Sequence, residues 1–344
     1  MKMKKEISSN RNNMQIEGLR GLAILLVVFY HFFYRFYEIY VSEGQSLFIA
    51  KHCGEMGVAI FLTITGYYLY PSKATNWLSY AKKRIIRIWP TYFVCITIIF
   101  IITHIGFQLP GRTVGIKDYI FNIVMINGFI GANCVDSAHW YITTILSFTI
   151  VASFFLFLKK ENKIVFQYIW IIVMFSLQCL KIIMQHDSAM SKVLSASIVL
   201  LGNSYVGFCI CGIAIRLWIS NKKSYDLSIG VLFILGFTYT WMFMGFLQAI
   251  FLIISAFLLY AAQMNQLKLM EKKVMIMLGT ISFSIYLIHQ NIGYIEMLAL
   301  SQIMGLQGYI VSLCILVISI LEGIVIYRFV ECPARNLFRK KLYE

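Results

Sequence analysis

The sequence predicts an all-α fold, a polytopic transmembrane helical bundle of about ten spans with both termini in the cytoplasm. Three observations predict it. Of the 344 residues 60% are hydrophobic and only 13% charged, where soluble domains carry about a quarter. Apolar runs long enough to cross a bilayer recur along the chain, and Lys and Arg gather on alternate connections. This composition excludes a soluble fold.

Roughly 20 apolar residues cross ~30 Å of hydrocarbon as a helix. Spans are therefore predicted over 18–40, 53–70, 86–106, 139–158, 164–184, 194–219, 226–244, 246–262, 279–299 and 308–330. The first apolar run follows a tail carrying Lys2, Lys4, Lys5 and Arg11. It is too long for a signal sequence and no small-residue cleavage site follows, so it reads as a retained span. The moderately apolar segment 117–132, KDYIFNIVMINGFIGA, is expected to lie at or dip into the outer interface. An irregular backbone there needs a water-lined cavity or protein contacts.

Of the 30 Lys and Arg, Arg35, Lys51, Arg112, Lys117, Lys181 and Lys192 fall on the outer side, and Arg20 and Arg328 lie inside spans. The other 22 share the side of the termini, which this bias places in the cytoplasm. One integral membrane domain accounts for 1–344, with short tails at 1–15 and 334–344, in a multi-pass arrangement in the cytoplasmic membrane.

The net charge of +15 would suit nucleic acid if it formed one basic face. It is instead spread between apolar runs, so the predicted anionic partners are lipid headgroups and phosphate-bearing cofactors, with no nucleic acid. Eight scattered cysteines contain no CxxC pair, which argues against structural zinc, iron–sulfur clusters and c-type haem; no metal is expected. Topology allows an extracytoplasmic disulfide between Cys53 and Cys134.

An ionisable group inside the bilayer is a functional hypothesis by default, because a charge at its centre costs about 2.5–3.5 kcal/mol on insertion scales. Span 1 reads IEGLRGLAILLVVFYHF. Eleven helical steps return His31 to within about 20° of Arg20, roughly 16 Å further along the axis. The two share a face at different depths, Arg20 near the cytoplasmic entrance and His31 near mid-membrane or beyond. Glu17 stands where an i, i+3 pair orients the Arg20 guanidinium. The plainer alternative is that Arg20 snorkels to headgroups and His31 bonds a neighbouring helix.

Span 3 is entered through AKKRIIRIWPTY, which puts Arg84 and Arg87 on one face at the cytoplasmic interface. Guanidinium matches phosphate bidentately, although a positive cluster suits any cytoplasmic loop. Pro90 is expected to break the helix just inside the membrane and leave room for a ligand beside Arg87. Glu322 lies far from any span end and is expected to pair with an arginine or histidine of another helix, in a structural or a catalytic role. His139 and His289 either line an acceptor path or cap packing contacts. His52, His104 and His186 sit near outer span ends, where interfacial solvation explains them.

Taken together these segments resemble the acyltransferase-3 family of polytopic membrane O-acyltransferases. IEGLRGLAILLVVFYHF is similar to its first helix, with Arg and His separated by ten residues. GEMGVAIFLTITGYYL is similar to its second, with Thr65-Gly66 where Ser-Gly is usual. KKRIIRIWPTY resembles its paired-arginine entry to the third helix, and LGTISFSIYLIHQ its late helix ending in His. YRFVECPARNLFRK is similar to its closing Glu-x-Pro-x-Arg motif, carried by Glu331, Pro333 and Arg335. One departure is visible: many members read Trp-Ser-Leu-Ser-x-Glu at the fourth helix, whereas Trp140 here is followed by Tyr-Ile-Thr-Thr-Ile, with Ile145 in place of the acid.

The resemblance implies a membrane O-acetyltransferase that moves an acyl group, most often acetyl from cytoplasmic acetyl-coenzyme A, to a hydroxyl of a cell-surface or exported saccharide of the cell envelope. Coenzyme A is a polyanion, and Arg84, Arg87 and Arg20 gather at the cytoplasmic mouth to hold it. His31 then serves as general base on the acceptor hydroxyl or as transient acyl carrier, suited by an unperturbed pKa of about 6.5. Some relatives carry a further extracytoplasmic hydrolase-like domain. None is expected here, which implies either direct transfer or completion by a separate extracytoplasmic transferase or polysaccharide-assembly protein. The competing reading is a transporter or flippase for a saccharide or lipid-linked precursor. Such proteins often show repeat symmetry, and none is evident.

Overall fold

The computed structural model describes residues 2–41, 45–69, 76–105, 109–158, 163–220, 227–304 and 308–343. The basic connection at 159–162, together with parts of those at 71–75 and 221–223, lies outside the described residues. Among the described residues every regular element is helical. Eight helices are long and apolar enough to cross a membrane, and a ninth span results if the bent pair Lys273–Thr280 and Ser282–Gln302 is counted as one. Nine predicted spans thus have counterparts, most within a few residues, although the third begins at 77 rather than 86 and the last runs to 337 rather than 330.

The tenth, 194–219, is corrected. It is not one helix but two shorter ones, Ser188–Leu200 and Val206–Ser220, separated by a link in which Gly202 and Asn203 adopt φ of 126° and 59°. Glycine tolerates that conformation and asparagine visits it more readily than most residues. The carbonyls that such a break frees must find partners away from water. Here the Trp170 indole donates to the Leu201 carbonyl at 2.7 Å and Ser147 Oγ to that of Val199 at 2.6 Å.

Pro90 also departs from expectation, since the helix Trp77–Ile105 runs through it without interruption. Proline removes one donor but its fixed φ is already helical. In a bilayer, abandoning the helix would strand several more backbone groups. Segment 117–132 is more regular than expected, forming the short helices Ile116–Ile123 and Asn127–Ile130. Buried Asn122 ties the region together. Its Nδ2 donates to the carbonyls of Asp118 and Asn133, at 2.8 and 2.7 Å, and its Oδ1 accepts from the Val135 amide at 3.2 Å.

The chain forms two compact units, residues 1–58, 85–140 and 267–344 in one, 59–84 and 141–266 in the other. In the second unit glycines allow helix backbones to meet. A Cβ on Gly66 would lie 2.1 Å from the Cys209 carbonyl oxygen, and one on Gly212 would lie 2.1 Å from that of Thr63. Small residues are how helices approach closely where lipid offers no hydrophobic drive. The first unit uses the same device to seat the first span (Met14–Tyr40) on the segment 267–280, through Gly18, Gly21 and Gly279. Nearly all of the candidate chemistry lies in this first unit.

Candidate active site

The first span and the helix Ser282–Met304 touch at two levels. At the lower, Arg20 Nη1 pairs with Glu17 at 3.1 Å and Nη2 donates to Ser282 Oγ at 3.1 Å. At the upper, His31 Nδ1 lies 3.1 Å from the Tyr294 hydroxyl, and its ring meets that of His289 edge-on at 4.8 Å between centroids. Eleven residues separate the two levels on one helix and seven to twelve on the other, so the helices run side by side in the same direction. His31 also opens a π-helical stretch, His31–Arg35. Such wide turns are frequent at functional sites.

The lower level is a charged cluster. Ser284 Oγ donates to Glu331 Oε2 at 2.7 Å, Arg335 lies 3.6 Å from the same carboxylate, and Arg20 and Arg87 are within its electrostatic reach. Glu331 closes a second π-helical stretch, Tyr327–Glu331. The closing Glu-x-Pro-x-Arg motif is therefore docked by its acid onto Ser284 of the late-helix motif. The i, i+4 spacing lets Arg335 return to that acid.

The upper level holds residues that sequence reasoning missed. Arg112 Nη1 donates to Ser137 Oγ at 2.7 Å and to Asn291 Oδ1 at 3.2 Å, and the guanidinium sits 5.2 Å over the Tyr294 ring. Ser137 in turn donates to Gln290 Oε1 at 3.0 Å. Buried Asp136 accepts from the backbone amides of Asn291 and Ala138, both at 2.9 Å. Among the described residues no carboxylate lies within ion-pair distance of Arg112. The run His289-Gln290-Asn291 inside an apolar span was a visible signal. Its partners on the loop 109–138 were not, because a long sequence separation hides which polar groups meet.

The remaining predicted residues divide. His139 is buried, its Nε2 donating to the Leu287 carbonyl at 3.0 Å, and its ring packs on Tyr92 and Tyr286. Trp140 opens the helix Trp140–Phe157. In the second unit Thr65 Oγ1 donates to the Phe61 carbonyl at 2.8 Å and lies 3.3 Å from the Tyr141 hydroxyl. Arg84 is committed to backbone, its Nη2 donating to the carbonyls of Tyr68 and Leu69 at 2.8 and 3.4 Å. Cys53 and Cys134 are both free thiols.

Glu322 corrects an expectation. Its neighbour is not a cation but the carboxyl of Glu296: both side chains line an apolar cavity of about 500 Å³ with Ile98, Ile102, Ile318 and Leu321, and each keeps one buried carboxyl oxygen without a hydrogen-bond partner. Two neighbouring carboxyls in hydrocarbon are less costly sharing a proton than as two bare charges. Glu322→Gln supplies the donor permanently and is expected to leave membrane abundance unchanged; Glu322→Lys is expected to lower it. Equal abundance of the two variants on a quantitative immunoblot would contradict the shared proton.

The helices of the described residues, eight of them long and apolar enough to cross a bilayer, define a multi-pass membrane protein. The profile of the acyltransferase domain matches residues 13–328, nearly the whole chain, and the chain belongs to that family as a membrane acyltransferase. No curated protein and no solved structure matches it.

Proposed function

We propose that this protein is an O-acetyltransferase of the cytoplasmic membrane, which takes acetyl from cytoplasmic acetyl-coenzyme A and places it on a hydroxyl of a cell-surface or exported saccharide. The observation that carries the reading is the first span itself. Arg20 and His31 are each engaged by one neighbouring helix, at two levels about 16 Å apart along the axis. A polyanionic donor suits the lower level, where Arg20, Arg87 and Arg335 outnumber the two acids Glu17 and Glu331. A pantetheine arm then reaches toward His31, which meets the thioester carbon, and the acceptor enters from the level of Arg112. The basic bias of the connections supports a cytoplasmic lower level, and family membership favours transfer over transport. A separate extracytoplasmic transferase or polysaccharide-assembly protein is a natural partner if transfer proceeds by relay.

Everted membrane vesicles given radiolabelled acetyl-coenzyme A are expected to move label into the saccharide fraction. Surface polysaccharide from cells lacking the gene is expected to lose an O-acetyl NMR resonance. Vesicles that leave all label in the donor would refute the proposal. Arg87→Gln is expected to weaken apparent donor affinity about tenfold, a typical loss for one charge-assisted phosphate contact. An unchanged KM for acetyl-coenzyme A would remove Arg87 from the donor site.

A further inference from the structure

We propose that His289 is the second catalytic imidazole of this centre, taking the acceptor hydroxyl's proton while His31 carries the acyl group. This rests on the acyl-transfer reading above and assigns the two halves of that reaction to two rings.

The argument begins with tautomers. His289 Nδ1 lies 2.9 Å from the Tyr286 carbonyl oxygen. A carbonyl only accepts, so Nδ1 carries the hydrogen and the neutral ring presents a lone pair at Nε2. That nitrogen is fully buried and has no hydrogen-bond partner. Leaving a buried acceptor unpaired is costly, a cost that an incoming hydroxyl removes. His139 has a similar vacancy at Nδ1, but its ring neighbours are Tyr92 and Tyr286. Of these two, His289 is the one set against His31.

His31 has the complementary arrangement. Its Nδ1 faces the Tyr294 hydroxyl, and when Nδ1–H donates there, Nε2 is the nucleophilic nitrogen. One imidazole cannot hold an acyl group on a nitrogen and accept a proton at that same atom. The adjacent ring supplies the missing site.

The steps balance. His31 Nε2 attacks the thioester carbonyl and the C–S bond breaks. The sulfur leaves with the electron pair and receives the proton released from His31 Nδ1, giving acetyl-His31 and the free thiol. In the second half the acceptor oxygen attacks the acetyl carbon while His289 Nε2 takes its proton. The C–N bond breaks, its electron pair returns to His31, and His289 passes the proton back. Both rings are then neutral, as at the start.

The test separates the halves. Without acceptor, the purified full-length wild type is expected to exchange label between free coenzyme A and acetyl-coenzyme A, because the first half is reversible. His31→Ala is expected to abolish this exchange. Gln at 289 keeps a donor for the Tyr286 carbonyl but offers no basic nitrogen. His289→Gln is therefore expected to keep exchange within about tenfold of wild type, while label transfer to the saccharide of everted vesicles falls about 100-fold or more. Exchange persisting in His289→Gln also shows that the variant is folded. Three outcomes overturn the inference: undiminished transfer in His289→Gln, equal loss of exchange and transfer in that variant, or wild-type transfer without exchange. A wild type that neither exchanges nor transfers refutes the donor reading and this inference together, so the two failures are distinguishable.

Discussion

His31→Ala is expected to lower acyl transfer about 1,000-fold or more, the combined reach of nucleophilic and general-base catalysis, with its abundance in the membrane unchanged. The contrast follows from how little of the fold depends on this ring. Apart from ring packing, its polar engagement is one bond, to Tyr294, and the side chain is only half-buried. The neighbours that seat the span are elsewhere, in the glycine contacts with 267–280. Tyr294→Phe removes the bond but keeps the ring under Arg112, and about a tenfold loss is expected from it, in line with one hydrogen bond. Activity assayed at equal protein amounts decides the matter. Full transfer by His31→Ala would end the catalytic assignment.

Gly279→Ala is expected to deplete the folded protein, the largest effect on stability from a single methyl group. An added Cβ would lie 1.8 Å from the Glu17 carbonyl oxygen, which is backbone and cannot rotate away. Two effects compete: alanine gains up to about 1 kcal/mol over glycine inside a helix, and overpacking costs about 1–3 kcal/mol or more. Where the obstacle is backbone at this distance, the second prevails. The neighbouring Glu17–Arg20 pair moves with it, so residual protein is also expected to be poorly active. Gly230→Ala is the control, since nothing lies within 4 Å of its added Cβ; its abundance is expected to match or exceed wild type. Size-exclusion profiles in detergent give the comparison, and equal monodisperse yields for both variants would refute the close approach.

Much of the fold was legible because bilayer thickness converts directly into run length, and nine of the ten predicted spans rest on that arithmetic alone. The two departures run in opposite directions and have different causes. At 201–205 the sequence Leu-Gly-Asn-Ser-Tyr carries a turn signal, but hydropathy averaged across it concealed the break. At Pro90 the local rule for a breaker was overridden by the cost of exposing backbone to lipid. The candidate site was legible in part. Arg20, Glu17 and His31 follow from helical spacing, and His289 from its place in a polar run. Arg112, Ser137 and Tyr294 carried no local pattern that marked them.

The sequence by itself determined that this chain lives in a bilayer, roughly where most of its spans lie, and which polar side chains share a stripe. These are short-range properties, set by hydrophobicity and the 3.6-residue turn. Only tertiary structure decided that Glu322 meets another carboxyl, that Glu331 docks on Ser284, and that His31 has His289 beside it with a bare nitrogen. Those pairings join residues from about 26 to 260 positions apart. Their partners are chosen by which helix faces glycine contacts bring together, a quantity that no window along the chain contains.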